Sequence, residues 1–260
     1  MSDAPPLELD GVTVAFGGNI VFTDVSIKFE RGFTGLVGPN GAGKTTAFNV
    51  VSGYIKPRRG TVSIYGRDIT GTRPAKVAAL GVGRTFQTPR LIQELSVIEN
   101  VMLGRHLHIP SNHLMEFAGL PRARRGERDA LRAALEMLDR FGLADRAFDE
   151  ASSVPLGSQK IVEVARTLLS EPRIVLVDEP AAGLGADDVA ALLIGLRAIM
   201  AERSMCVIVI EHDLGLVSDL CSRVAVLHFG SIIADGTPAE VVREPAVIEA
   251  YLGGGFAARD

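Results

Sequence analysis

Only two cysteines, Cys206 and Cys221, occur in this 260-residue chain, too few for a disulfide framework. Cys206 sits inside an apolar run, where a buried free thiol is expected, and neither cysteine has the spacing of a zinc site. Long apolar runs are missing too. The longest, such as Cys206 to Ile210, fall far below the roughly 20 residues that cross a bilayer, so no membrane span is expected. The opening residues, MSDAPPLELD, lack a basic region and an apolar core, which argues against a secretory signal and for the cytosol. Nor is there an excess of positive charge. Twenty-seven basic against 31 acidic residues leave a net charge of -4, a poor footprint for nucleic acid. Apolar residues, by contrast, make up 47% of the chain against 22% charged, which excludes disorder as the main state and supplies the core of one compact, possibly two-lobed unit.

The N-terminal stretch alternates as Leu7, Leu9, then Val12, Val14 and Phe16, punctuated by Gly11 and Gly17-Gly18, the pattern of short antiparallel strands. Phe29 and the run Phe33 to Val37 continue the strands. Lys44 to Ser52 reads as a helix closed by Gly53, and Thr61 to Tyr65 as another alternating strand. From about residue 96 to 170 the sequence turns helical, with Leu131, Ala134, Leu135, Leu138 and Phe141 spaced for one face. Three apolar runs follow, Ile174 to Val177, Met205 to Ile210 and Val224 to Phe229, separated by helical segments at about 186–202 and 213–221. Continuous apolar runs alternating with helices predict parallel strands buried on both faces. The basic cluster Arg122, Arg124, Arg125, Arg128 and Arg132 reads as a solvated face. His106, His108 and His113 match no metal-site spacing and read as loop residues.

Gly38-Pro39-Asn40-Gly41-Ala42-Gly43-Lys44-Thr45 fits the phosphate-binding pattern G-x4-G-K-[ST], directly after an apolar strand and at the opening of a helix. Glycines let the backbone curl its N–H groups toward phosphate, Lys44 supplies a point charge for the β and γ oxygens, and Thr45 places a hydroxyl on Mg²⁺. Arg173 to Glu179 is a buried-type strand ending in two carboxylates, and ligands of such sheets gather at the carboxyl ends of the strands. Two adjacent carboxylates there can divide the work: Asp178 holds Mg²⁺ while Glu179 polarises an attacking water. His212, in Glu211-His212-Asp213 after another apolar run, can donate to a γ-phosphate oxygen, although a lone histidine after a strand also serves for packing or capping.

In order, GPNGAGKTT at 38–46, GRTFQTPRL at 83–91, RIVLVDEPAAGL at 173–184 and VIVIEHD at 207–213 resemble the ATP-binding subunit of an ABC transporter over nearly the whole chain. Within that family, GVGRTFQTPRLIQELSVIENV and the stretch from EHDLGLVSD to EAYLG resemble the ATP-binding subunits of branched-chain amino acid importers. The resemblance implies an α/β fold with a RecA-like core and an antiparallel N-terminal sheet over 1–88 and 166–235, a helical subdomain inserted at 89–165, and a C-terminal helical tail over 236–260. It implies ATP and Mg²⁺ held by residues 38–46, with Thr46 beside Thr45, and metal contacts from Thr45, Gln87 and Asp178. Catalysis would fall to Glu179, His212 and Gln87, the last also facing a membrane partner. Phe16 matches the aromatic that stacks on adenine, although it also reads as a strand residue packed in the sheet.

One departure stands out. Members carry an LSGGQ-like signature that reaches across a head-to-tail dimer, and here Pro155, Leu156, Gly157 and Ser158 stand in its place, following Val154. Only Gly157 agrees. Pro155 offers neither the serine hydroxyl nor an N–H, so the segment is a weaker phosphate donor that relies on the helix N-terminus. Gly185 likewise replaces a residue that is polar in many members. The implied partners are a second ABC ATP-binding subunit, integral permease subunits at the cytoplasmic face of the membrane and, indirectly, a periplasmic substrate-binding protein. Three rivals are weighed against this reading: an ABC exporter ATPase for lipid or lipopolysaccharide, a soluble ABC ATPase acting on DNA or ribosomes, and a small-molecule kinase. The soluble ATPases carry a long coiled coil or two cassettes, which 260 residues do not hold, and a kinase leaves Gln87 and His212 unexplained.

Overall fold

The computed structural model describes residues 4–108, 121–212 and 214–252. In chain order the elements are β1 (Leu7–Phe16), β2 (Asn19–Phe29), β3 (Gly32–Val37), α1 (Lys44–Val51), β4 (Arg59–Ile64), β5 (Arg67–Asp68), α2 (Pro74–Ala79) and β6 (Val82–Arg84). There follow α3 (Val97–Met102), a 3-10 turn (Leu103–His108), α4 (Pro121–Arg140), α5 (Leu156–Leu169), β7 (Ile174–Asp178), α6 (Ala186–Glu202) and β8 (Cys206–Ile210). The chain finishes with α7 (Leu214–Leu220), β9 (Arg223–His228), β10 (Ser231–Gly236), α8 (Pro238–Val241) and α9 (Pro245–Leu252). Among the described residues no helix is long and apolar enough to cross a membrane. Contacts divide the chain into one unit of Met1–Arg84, Arg173–Glu179 and Ser204–Asp260, and a second of Thr85–Pro172 and Pro180–Arg203.

The first unit holds both sheets. One is antiparallel, in the order β2-β1-β4-β5. Its β1 explains the odd spacing of the N-terminal apolar residues: Gly11 takes φ +60° and the pairing register shifts between Leu9 and Val12. A plain strand would turn Val12 outward after Leu9; the bulge restores it, and Leu7, Leu9, Val12 and Val14 are all buried.

The other sheet runs β10-β9-β3-β8-β7-β6, parallel from β9 to β6 with β10 antiparallel at the edge. Every residue of β7 and β8 is buried, as expected of strands covered on both faces. Both thiols are free and buried, which pushes Cys206 and Cys221 up to about 12. The third apolar run stops one residue short of its expected end. Phe229 and Gly230 both have positive φ, +43° and +73°, and form a tight two-residue reversal that returns the chain as β10. Phe229 is thereby left 86% exposed.

In the second unit, α3 opens on a capping box in which the Ser96 hydroxyl accepts from Glu99 N–H and the Glu99 carboxylate accepts from Ser96 N–H. Along α4 the fully buried stripe is Ala130, Ala134, Met137, Leu138, continued by Phe141, with Leu131 and Leu135 half-buried beside it. Gly195 of α6 lies against the Phe141 ring, where an added Cβ would come within 2.3 Å of it. Arg128 and Arg132 are exposed, while the side chains of Arg122, Arg124 and Arg125 lie outside the described residues. His106 and His108 belong to the 3-10 turn rather than to a loop, and His113 lies outside the described residues.

Candidate functional site

The carboxyl ends of β3, β7 and β8 carry the loop 38–43, Asp178 with Glu179, and Glu211 with His212. Between β3 and α1 the backbone takes φ +150° at Gly38, +78° at Gly41 and +109° at Gly43. Two of these glycines are also dictated by space. A Cβ at Gly38 would sit 2.0 Å from the Leu227 carbonyl oxygen, and one at Gly43 would sit 2.5 Å from the Phe22 ring. α1 has no side-chain cap and no acidic residue in its first turn, which leaves its N–H groups and dipole for an anion. Asn40 and Thr45 are exposed; Ala42 and Lys44 are buried.

Lys44 Nζ donates to the carbonyl oxygens of Gly38 at 2.5 Å and Pro39 at 3.0 Å. Burial lowers its pKa, and the neighbouring charges of Glu179 and Asp178 work the other way. Glu179 is one of few non-glycine residues in the left-handed region, at φ +47°. That turn follows directly on β7 while its N–H still donates to Ile210 O at 2.9 Å. Its Oε1 lies 2.6 Å from His212 Nε2, so the base and the histidine predicted separately form one pair. Strain of this kind costs of order 1–3 kcal/mol and gathers where function needs a side chain aimed.

Asp178 is 5% exposed, and burial raises its pKa against the opposing charges of Arg84 and Lys44. Arg84 was not singled out in the sequence, yet it is central here. Its Nη2 lies 3.6 Å from Asp178 Oδ2, and its Nη1 donates to Asn49 Oδ1 at 2.8 Å and Ser52 Oγ at 2.7 Å, both on or just after α1. The Phe48 and Tyr54 rings lie 5.8 and 5.7 Å from the guanidinium carbon. One buried arginine thus ties the helix after the glycine loop to the Asp178 carboxylate. The only signal was an arginine at the end of a buried strand, in GRTFQ.

Mg²⁺ favours a few hard oxygen donors, with phosphate and water completing the shell. The exposed Thr45 hydroxyl and the buried Asp178 carboxylate fit that pattern, and no three-ligand acidic or histidine cluster occurs among the described residues. Phe16 ends β1 and is 52% exposed, so its ring is not packed away in the sheet.

Gln87 and residues 155–158 belong to the second unit. Gln87 is exposed in the loop that follows β6. Pro155 is the N-cap of α5 and gives no side-chain cap; Leu156 is 58% exposed, whereas Gly157 and Ser158 are buried. Gly157 is packed on α6, where a Cβ would approach Asp188 Oδ2 to 2.6 Å. Because Pro155 cannot cap, Pro155→Ser is expected to stabilise the protein by about 1 kcal/mol, read as a rise in the urea midpoint at constant slope. A lowered midpoint would show that the proline's rigidity matters more than the missing hydroxyl.

Residues 22–182 match the model of the ABC transporter family, and residues 231–257 match that of the branched-chain amino acid ATP-binding cassette transporters. The chain is 39% identical over 253 residues to the high-affinity branched-chain amino acid transport ATP-binding protein BraF of Pseudomonas aeruginosa, covering 96% of this chain and 98% of that protein. It is 35% identical over 250 residues to LivG of Escherichia coli K12, a protein of the same description, with the same coverage of 96% and 98%. Among solved structures, the ADP conformation of an ATP-binding cassette of an ABC transporter superposes with a TM-score of 0.80 at 30% identity, covering 95% of this chain and 98% of that one. A nucleotide-free ABC transporter cassette gives 0.80 at 29% identity, over 94% and 98%.

Proposed function

The chain belongs to the ABC transporter family, and from that premise we propose that it hydrolyses ATP to power a permease importing branched-chain or related amino acids. The observation that carries this reading is the grouping of buried Lys44 and Asp178 with half-buried Glu179 and exposed His212 beside a glycine loop at the carboxyl edge of a parallel sheet. The loop N–H groups from Gly38 to Thr46, all but the one Pro39 lacks, take the phosphates, and Lys44 exchanges its bonds to the Gly38 and Pro39 carbonyls for phosphate oxygens. Thr45 and Asp178 would hold Mg²⁺. The metal supplies neutralisation of charge on the phosphoryl oxygens. Glu179 orients and deprotonates the attacking water, and His212 exchanges its Nε2 contact with the Glu179 carboxylate for a γ-phosphate oxygen when ATP is bound. Phe16 offers its face to adenine.

Pro155, Leu156, Gly157 and Ser158 serve the ATP of a second ABC ATP-binding subunit. That site is the weaker one, because Pro155 lacks a hydroxyl and an N–H and Ser158 is buried. Membership of a transporter complex brings integral permease subunits as partners. We place the chain on the cytoplasmic face of the membrane, with a substrate-binding protein on the far side.

Lys44→Ala tests the reading. Losing a bond to a charged phosphate is worth about 1.5–3 kcal/mol, so the Kd for ATP should rise roughly 10- to 150-fold in equilibrium binding. An unchanged Kd would remove the loop from nucleotide binding.

A further inference from the structure

Glu163 lies on α5, between one and two turns beyond Ser158, and is 2% exposed. Charged side chains are almost never so buried unless paired. Its Oε2 accepts the Phe86 N–H at 3.1 Å, and its Oε1 accepts the Arg90 N–H at 3.0 Å. Arg166, three residues further along the helix, reaches Glu163 Oε1 at 3.3 Å and donates through Nη1 to the Arg90 carbonyl at 2.7 Å. The Arg90 guanidinium stacks 4.0 Å from the Phe86 ring centroid. Fully buried Asn100 then accepts from Ile92 N–H and donates to Ile92 O, each at 2.9 Å.

The stretch 86–92 has no helix or strand of its own, yet it is tied at 86, 90 and 92. Gln87 and Thr88 stand exposed between two points held by one carboxylate. A buried carboxylate is costly here: burial raises the Glu163 pKa, and the two N–H donors and Arg166 act to lower it. A methyl or an amide would be cheaper to bury but would not accept both bonds. All of these contacts lie within the second unit.

We propose that Glu163 is a positioning residue that makes the Gln87 loop and the helix opened by Leu156 a single mechanical body. A displacement at either end, at Gln87 or at residues 155–158, is then transmitted to the other. The inference rests on the roles given above to Gln87 and to residues 155–158.

The test uses the complete transporter, this chain with its partner ATPase and permease subunits, reconstituted in vesicles. Glu163→Ala removes both acceptors; Glu163→Gln keeps one, because its amide oxygen still accepts while its NH2 faces an N–H. With ATP varied, kcat should fall at least ~10-fold for Glu163→Ala, within the ~100-fold that a 1 Å misplacement costs, and by less for Glu163→Gln. KM for ATP should change less than ~2-fold, since Lys44 and the loop are untouched. Amino acid moved per ATP hydrolysed should fall in the same order.

A merely structural role would lower Tm and leave kcat, measured well below Tm, unaltered. Wild-type kcat in both variants overturns the proposal, as does a loss that appears in KM instead. If Glu163→Ala fails to fold, Glu163→Gln decides by the same criteria. ATP binding by the isolated wild-type chain is measured in parallel: its absence overturns the proposed function itself, whereas binding with unchanged kcat in the variants overturns only the role of Glu163.

Discussion

Glu179→Gln is expected to bind ATP with nearly wild-type affinity and to hydrolyse it 10²–10⁴-fold more slowly, a barrier increase of about 2.7–5.4 kcal/mol. The substitution is nearly isosteric, and glutamine meets the same backbone strain at φ +47°, so the fold should not change. Its side chain still reaches His212 Nε2, which is 2.6 Å from the carboxylate, through either tautomer. What disappears is the basic oxygen that accepts a proton from water. In the roles proposed above Lys44, Thr45 and Asp178 still hold the nucleotide, so the loss should fall on kcat rather than on binding. Equilibrium binding and steady-state turnover on the same preparation check this. Undiminished turnover would remove Glu179 from the role of base and leave its contact with His212 a structural one.

A comparably large effect is expected on stability from Arg84→Met. The Arg84 side chain is 8% exposed and that of Asp178 5%, and removing one member of a buried pair typically costs about 3–5 kcal/mol because the other is left uncompensated. Asn49 Oδ1 and Ser52 Oγ lose their donor at the same time. The urea midpoint should therefore drop with the slope unchanged. Arg84→Lys should fall between, since a point charge cannot serve Asp178, Asn49 and Ser52 together.

Asp178 also sets the pH dependence. Burial already raises its pKa above the usual 3.8, and Arg84 opposes that, so the variant raises it further. A raised carboxyl in the folded state means that protonation favours folding. The deficit of Arg84→Met relative to wild type should then shrink as pH falls from 7 toward 4 and widen again as pH rises. A deficit independent of pH would show that the lost bonds to Asn49 and Ser52, not the charge on Asp178, account for it.

The glycine loop between β3 and α1 was legible because its requirement is local: glycines at fixed intervals, a lysine and a hydroxyl next to it, and strand and helix on either side. The buried strands of the parallel sheet were legible because being covered on both faces demands an unbroken apolar run, and β7 and β8 show one. Arg84 and Glu163 were not, since a lone charge in an apolar context signals nothing until the fold shows what it pairs with. Glu163 answers to backbone N–H groups more than 70 residues earlier, which no periodicity encodes. The end of β9 was misplaced because apolar Phe229 continues the pattern of the run while its backbone has already turned into a reversal. On α4 the heptad-like spacing found the right face, but Met137 and Ala130 lie deeper in it than Leu131 and Leu135.

The order β9-β3-β8-β7 has a consequence for synthesis. β3, which ends at Val37 and leads into the glycine loop, is flanked on its two edges by strands ending at Ile210 and His228. At translation rates of ~5–20 residues per second, its edges stay without those neighbours for about 10–40 s while the intervening chain leaves the ribosome. For that interval the run Phe33 to Val37 is an apolar segment with open hydrogen-bonding edges, the sort of template on which nascent chains aggregate. The helices between β3 and β7 fold from local contacts and have no such delay. The nascent chain therefore forms the helices that precede β7 early and closes the sheet around β3 last, and until β9 is released it depends on whatever shields β3 from neighbouring chains.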